Sequence, residues 1–405
     1  MNLRIAWRNL WRNRKRTLIT VSLIALSVSL AVFMRSFQEG SYAKMIENAI
    51  GNFTGYVQVH QKDYWGDRSI DNGIDVSDSL INTILSTKDV EGVNLRLESF
   101  ALASHNVSTK GALIMGIVPK AGDEMLNIKS KIIKGDYITD SDKSIIIGSK
   151  LANFLDIDVS DTLVLLGQGH WGQSAVGAYS VKGIVKMPIA TLDRRIIFMP
   201  LSLAQEYYSF PDGVTSIVVR FSDSNETRSI TKELNSKLDT TMYRAIAWQD
   251  MSPEMVQQIE SDRISGIFML GILYMIIAFG VFGTVLMMTE ERKKEYAVMI
   301  SIGMQKTKLI TISFYETIIM NLFGVIVGVL IAIPLVVYFH YYPIVMTGQA
   351  AKSIEKLGIE PVMPTILSSQ IILNQVFVII SISLVAFIYP LTAIFKLNVI
   401  KAMKR

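Results

Sequence analysis

Four stretches of this chain are too apolar to be left in water. Thr17–Met34, Ile264–Thr289 and Ile371–Phe395 carry no charge, and Leu309–Tyr338 carries one, Glu316. A hydrocarbon core about 30 Å thick needs roughly 20 such residues to cross it. Inside a bilayer a single segment can satisfy its own backbone only as a helix. The sequence therefore predicts spans at 17–36, 264–289, 309–339 and 371–395. Pro334 and Pro390 fall in the last two, where packed neighbours can re-satisfy the backbone.

Charge orients these spans. Arg4, Arg8, Arg12, Arg14, Lys15 and Arg16 precede the first. Arg292, Lys293, Lys294, Lys306 and Lys308 lie between the second and third, and Lys396, Lys401, Lys404 and Arg405 follow the fourth. The positive-inside rule places all three clusters in the cytoplasm, with both termini. Ser36–Arg263 holds 22 Lys+Arg against 29 Asp+Glu, the opposite balance. It is expected outside, as an extracytoplasmic domain of about 37–263, together with a 340–370 loop. A cleaved signal peptide would also show a basic start and an apolar core. Met34-Arg35-Ser36-Phe37-Gln38 offers no small-x-small cleavage site, so the first span is expected to stay as an anchor.

The outer segment is long enough for a core of its own. β-branched and aromatic runs with Gly, Asp or Asn at their ends predict strands at Tyr56–His60, Phe100–Val107, Ala112–Val118, Ser144–Gly148, Thr162–Leu166, Tyr179–Val185, Arg195–Met199 and Ser216–Phe221. Helical periodicity appears at Asp78–Thr87, Leu201–Tyr208 and Glu226–Leu238. The fold class expected is a four-helix integral membrane protein with a large extracytoplasmic α+β domain. Ser252-Pro253-Glu254 reads as a helix start with no breaker before Thr289. That helix would be about 55 Å long, nearly twice the hydrocarbon thickness. Phe37–Ile50 could extend the first span in the same way, giving two stalks.

Candidate chemistry is sparse. No cysteine is present, so disulfides and thiolate chemistry are excluded. His60, His105, His170 and His340 have no second ligand at metal spacing, so ordinary structural or surface roles are expected and no metal. No GxxxxGK[ST] loop or GxSxG elbow occurs, so no ATPase, hydrolase or cofactor site is expected in this chain. The basic clusters flank spans and read as membrane-orienting charge, not a nucleic-acid surface. Gly167–Gln173 reads as a hairpin tip, with Gln168, His170 and Trp171 either filling a turn or meeting a partner. Glu316 is an intramembrane candidate by its charge, although its shallow depth would also let it snorkel to water. Gly324-x-x-x-Gly328 permits close helix packing and says little about function.

The run Glu290–Met304 is the most informative. Tyr296, Met299 and Ile300 share a helical face, and Gly303 fits a helix end. A short amphipathic helix is expected here, resting on lipid or offered to a soluble partner.

Three motifs carry a family resemblance. Ala6-Trp7-Arg8-Asn9-Leu10-Trp11-Arg12-Asn13-Arg14-Lys15-Arg16-Thr17 looks like a basic helix leading into the first span. Glu291-Arg292-Lys293-Lys294-Glu295-Tyr296, followed by Gly303-Met304, looks like a coupling helix. Tyr389-Pro390, followed by Leu397-Asn398-Val399-Ile400-Lys401-Ala402-Met403, looks like a terminal motif, with Val399-Ile400 where proline is common. Together these resemble the four-span permeases of the MacB/LolC/LolE/FtsX group of ABC transporters, and most of all the lipoprotein-releasing LolC/LolE type. The resemblance implies an inner-membrane protein that works with a separate cytoplasmic ATPase dimer carrying ATP and Mg, and with a second permease subunit, identical or paralogous. Glu291, Arg292, Lys294, Glu295, Tyr296, Met299, Gly303 and Met304 would then couple to the ATPase. The cargo would be a lipoprotein whose acyl chains lie against Leu26, Leu30, Phe33 and Phe37. A periplasmic carrier is a possible further partner, although the tip near Gly167–Gly177 lacks the proline and basic residues of a LolC-like hook. A MacB-like peptide or drug exporter and an FtsX-like activator of a cell-wall hydrolase are the alternatives.

Overall fold

The computed structural model describes all residues except 1, 13, 350, 352–361, 400–402, 404 and 405. Asn13, Ile400, Lys401, Ala402, Lys404 and Arg405 of the motifs and basic clusters above lie outside the described residues. The described chain divides into two compact units. One holds the residues up to Tyr42, Gln258–Val345 and the chain from Val362 onward; the other holds Ala43–Gln257 and the described residues of Met346–Pro361.

The helical unit contains the four expected spans. An amphipathic helix (Asn2–Arg12) precedes the first long helix (Arg14–Ile46). The second long helix is Pro253–Glu291, 39 residues, and starts at the predicted proline. The third, Lys306–Tyr341, carries Pro334 within it. The fourth span is broken: Ser369–Ala386 stops at Phe387 and Ile388–Phe395 resumes. The break sits one turn before Pro390, whose ring clashes with the carbonyl four residues back.

Small residues let these helices meet. A Cβ at Gly324 would lie 2.6 Å from Cβ of Ile24, and one at Gly328 would lie 2.6 Å from the Ala25 carbonyl oxygen. The first and third long helices therefore touch backbone to side chain, and the motif that said little in sequence sets their crossing. Ile24, Val28, Val32, Ile277, Val281, Val325, Val336 and Ile379 fill the space around that contact. At the far ends, Glu39 pairs with Arg35 at 2.6 Å and Arg263 at 3.3 Å, which ties the first long helix to the second. The Gln38 amide donates to the Asp262 carbonyl at 3.2 Å and passes over Gly266, where a Cβ would leave it no room. Of the expected 340–370 loop, Thr365 and Ile366 hold the same end. The Ile366 N–H donates to the Ser36 carbonyl at 3.0 Å and the Thr365 hydroxyl to Val336 at 2.6 Å.

The first long helix runs into a π-helix, Glu47–Thr54, which ends at Gly55 with φ +87°. The large domain then forms a ten-stranded mixed sheet. Its order is Tyr243–Ala247, Val57–Gln61, Ser216–Arg220, Gly92–His105, Ser108–Ile117, Ile196–Pro200, Ser144–Gly148, Ser174–Val185 and Ile132–Gly135. Thr162–Gln168 pairs with both Gly92–His105 and Ser174–Val185. Helices Asp78–Leu85, Leu201–Tyr207 and Thr227–Lys237 lie where periodicity puts them. Their Leu80, Ile84, Leu203, Ala204, Ile230 and Leu234 join the main core.

Two corrections concern the sheet. Phe100–Val107 is only the second half of a 14-residue strand, Gly92–His105, whose first half carries Asn94, Arg96 and Glu98. Val107 is no strand residue: it stands fully exposed in a turn made possible by Asn106 at φ +51°. Arg96 is buried because its guanidinium donates to the Phe53 carbonyl at 2.5 Å and lies 3.7 Å from Glu98.

His60 is a buried polar residue with a direct pH consequence. It is 1% exposed, and its Nδ1 bonds the Thr215 carbonyl at 2.9 Å. Burial pushes its pKa down to about 4, so it is neutral at ordinary pH. The unfolded chain takes up this proton near 6.5, so stability falls as pH drops from about 6.5 to about 4, by up to about 3 kcal/mol. Glu98 works in the opposite sense, because burial raises its carboxyl pKa. The stability it lends is present at low pH and lost as pH rises through that raised value. A pH series of thermal melts on wild type and His60→Gln separates the two. The wild type should lose more stability than the variant on acidification, and parallel profiles would refute a buried neutral imidazole.

Candidate functional site

The short helix Lys293–Ser301 joins the second and third long helices. It is closed at its C-terminus by a Schellman pair: the Gly303 N–H bonds Ile300 at 3.0 Å and the Met304 N–H bonds Met299 at 3.0 Å. Gly303 sits at φ +100°, which a residue with a Cβ would resist. Helix and break differ slightly from expectation, since Glu291 ends the preceding long helix and Arg292 lies at the joint.

The helix turns its faces in a definite way. Tyr296 and Ala297 are buried with Leu309, Ile394 and Leu397, and Met299, Ile300 and Met304 pack beside them. The face read as a possible partner surface is therefore the one that holds the helix to the bundle. Lys294, Glu295, Val298, Ser301 and Ile302 point outward, and Ile302 is 81% exposed. Val298 and Ile302 were not singled out in the sequence. Their i, i+4 spacing was the available signal, hidden inside a continuous apolar run. The two sequence motifs meet here, because the Tyr389 hydroxyl donates to Glu290 at 2.5 Å and Lys306 Nζ donates to the Phe395 and Leu397 carbonyls at 2.8 and 3.2 Å. Beside the helix lies a groove of about 840 Å³ lined by Glu290, Lys293, Lys294, Tyr389, Lys396 and Asn398, among others.

Charge braces the joint from below. Glu316 is 4% exposed and does not reach water, contrary to the snorkelling expectation. It accepts from Asn9 Nδ2 at 2.8 Å and pairs with the Arg292 guanidinium, itself buried. One carboxylate thus links the N-terminal helix, the joint and the third long helix. The Tyr296 hydroxyl reaches Ser313 Oγ at 3.3 Å one turn away. On the surface, Arg12 pairs with Glu295 and Arg16 with Glu291. Glu291 and Glu295, expected as partner contacts, are thus also held within the chain.

Of the expected acyl-contact residues, Leu26 is 67% exposed and Leu30 is also exposed. Phe33 and Phe37 are half-buried and stack on one another at 6.2 Å, and Phe33 meets Phe339 edge-on at 5.5 Å. The four side chains follow one face of the first long helix.

The hairpin tip in the large domain is real but anchored. His170 stacks on Phe210 at 4.2 Å and its N–H donates to Tyr208 at 2.8 Å. The Trp171 N–H donates to Asp71 at 2.6 Å, and the residue takes φ +56°. That leaves Gln168 and the 75%-exposed Trp171 ring outward, while His170 serves the turn.

No group of His, Asp and Glu among the described residues is arranged to hold a metal.

Residues 17–237 match the model of the MacB-like periplasmic core domain, and residues 267–399 match the FtsX-like permease C-terminal region. The lipoprotein-releasing system transmembrane protein LolC of Xylella fastidiosa (strain 9a5c) is 22% identical over 232 residues, 54% of this chain and 54% of that protein. The macrolide export ATP-binding/permease protein MacB of Aggregatibacter actinomycetemcomitans is 22% identical over 331 residues, 79% of this chain and 50% of that protein. The chain thus spans about half the length of the curated relatives it matches. The solved periplasmic region of MacB from Actinobacillus actinomycetemcomitans covers 54% of this chain and 97% of its own, at 17% identity and a TM-score of 0.36, too low to add weight.

Proposed function

The chain belongs to the MacB/LolC/FtsX group of ABC-transporter permeases, and from that premise we propose that it couples ATP hydrolysis on separate cytoplasmic subunits to movement of an extracytoplasmic domain, the work being extraction of lipoproteins from the inner membrane. The observation that carries the coupling half is the short helix, pinned through Tyr296 and the Schellman turn, with Val298 and Ile302 turned outward. Exposed apolar residues on a rigid helix, ringed by Lys294 and Glu295, suit insertion into a groove of a soluble partner. By the positive-inside rule the basic clusters favour a cytoplasmic side for this helix and both termini, the side on which an ATPase dimer would carry ATP and Mg. A second permease subunit, identical or paralogous, would present a second helix to the dimer.

Acyl chains held on the Leu26, Leu30, Phe33 and Phe37 face would supply the cargo half. Each buried CH₂ holds with roughly 0.8 kcal/mol, so removal of a lipid anchor needs an outside energy source. Trp171 and Gln168 are the candidates for contact with a periplasmic carrier.

Export of peptides or small toxic molecules is the second reading, favoured by the length of the MacB alignment. One pull-down from native membranes in mild detergent separates the readings. An ATPase with acylated lipoproteins supports release, whereas an ATPase with a periplasmic adaptor and no lipoproteins supports export. In the same assay Val298→Asp with Ile302→Asp should cut ATPase recovery about tenfold or more, as loss of a central apolar anchor does. Undiminished recovery would remove the docking assignment.

A further inference from the structure

The large domain contains a cleft that the transport reading does not use. It has a volume of about 220 Å³ and lies where the chain enters and leaves the domain. Phe53 and Thr54, at the end of the π-helix, form one wall, and Met251 and Ser252 form another. The floor comes from the sheet, with Gln58, His60, Glu98 and Leu113.

Three features of the lining point to a ligand. First, His60 is fixed in one tautomer. Its Nδ1 faces a carbonyl oxygen and must donate, so Nε2 is left as a bare acceptor, buried and without a partner among the described residues. A buried acceptor with no donor has lost its water without compensation, a cost that a bound N–H or O–H would relieve. Second, the cleft has a cationic surplus. Arg68 and Arg195 line it, and neither forms an ion pair among the described residues. The one carboxylate in the lining, Glu98, faces Arg96 at 3.7 Å and is shared electrostatically with Arg68, so one carboxylate stands against several guanidinium groups. Third, the walls are aromatic. Tyr64 stacks on the His60 ring at 4.9 Å, Trp65 lies under the Arg68 guanidinium at 4.0 Å, and Phe100 is exposed at the rim.

We propose that this cleft binds a small aromatic monoanion that carries a hydrogen-bond donor. The anionic group meets Arg68 and Arg195, the ring lies among Trp65, Phe100 and Phe53, and the donor reaches His60 Nε2. A free N-acylated aromatic amino acid and the C-terminal residue of a peptide share this chemistry.

The test uses the full chain in lipid nanodiscs and N-acetyl-4-fluorophenylalanine, whose carboxylate, ring and amide N–H match the three features. The ¹⁹F line of the probe should broaden saturably with wild type, and the unfluorinated acid should reverse the broadening. Arg68→Gln with Arg195→Gln should weaken binding roughly tenfold or more, the weight of a charge-assisted hydrogen bond. Both arginines are exposed, so the variant should melt like wild type. His60→Phe should weaken the acid again by removing the acceptor. A pentapeptide ending in the same fluorinated residue distinguishes the sources: tighter binding than the free acid identifies a chain end, and no binding identifies a free small acid. Three results overturn the proposal: no broadening with wild type at millimolar probe, equal broadening by the uncharged C-terminal amide of the probe, or unchanged binding in the double arginine variant. The amide comparison needs no variant and so stands apart from any folding defect.

Discussion

Glu316→Leu should cost the helical unit about 3–5 kcal/mol, the penalty for leaving one member of a buried pair charged without its close partner, since Glu295 stands off at 3.8 Å. The Arg292 guanidinium would remain 7% exposed with its main counter-charge gone, and Asn9 would lose its acceptor. The same pair replaced at once, Arg292→Met with Glu316→Leu, should recover most of that loss, since apolar side chains of similar volume often substitute for a buried pair without penalty. Thermal melts in detergent read both variants. A single variant within about 1 kcal/mol of wild type would mean that the pair is solvated and that the joint is held by the Tyr296 cluster alone. The double variant has a second use. If it is stable yet no longer stimulates the ATPase proposed as its partner, the polar link transmits motion between the joint and the third long helix.

Gly328→Leu should have the second large effect. A side chain there would have to displace the Ala25 carbonyl oxygen at 2.6 Å and Cβ of Val28 at 2.7 Å. Neither is the flexible end of a side chain, so the first and third long helices would have to separate. Overpacking of this kind typically costs 1–3 kcal/mol, and more where backbone must move. Gly271→Leu is the matched control, because a Cβ at Gly271 meets nothing within 4 Å. The monodisperse fraction on size exclusion should fall sharply for Gly328→Leu and stay near wild type for Gly271→Leu. Equal yields would mean that the two helices do not cross at this glycine.

Both sites show what the sequence could convey. The spans were legible because apolar length is a local property, and so was the long helix that begins at Pro253. Most strands were legible for the same reason. The weaker ones were not: Tyr243–Ala247 and Ile132–Gly135 contain Arg244, Ala245 and Lys134, which local preference counts against a strand. They are strands because the sheet supplies partners at its two ends. The short helix and its Gly303 stop were also local signals. Its orientation was not, since which face turns inward depends on Leu309, Ile394 and Leu397 from elsewhere in the chain. Glu316 was visible as an anomaly, but its meaning required Asn9 and Arg292, and no spacing rule connects them. The cleft in the large domain left no sequence signature, because its lining comes from five separate stretches.

The hydrogen bond between Asn9 and Glu316 joins residues 307 positions apart. At about 5–20 residues per second, tens of seconds separate the synthesis of one from the other. During that time the N-terminal helix has neither its buried acceptor nor the Glu291 and Glu295 that later receive Arg16 and Arg12. Arg4, Arg8, Arg12, Arg14, Lys15 and Arg16 can hold it at an anionic lipid surface in the meantime, each with about 1 kcal/mol. The charges from which an orientation is expected would thus also act as a temporary mooring, exchanged for protein contacts once the third long helix has been made.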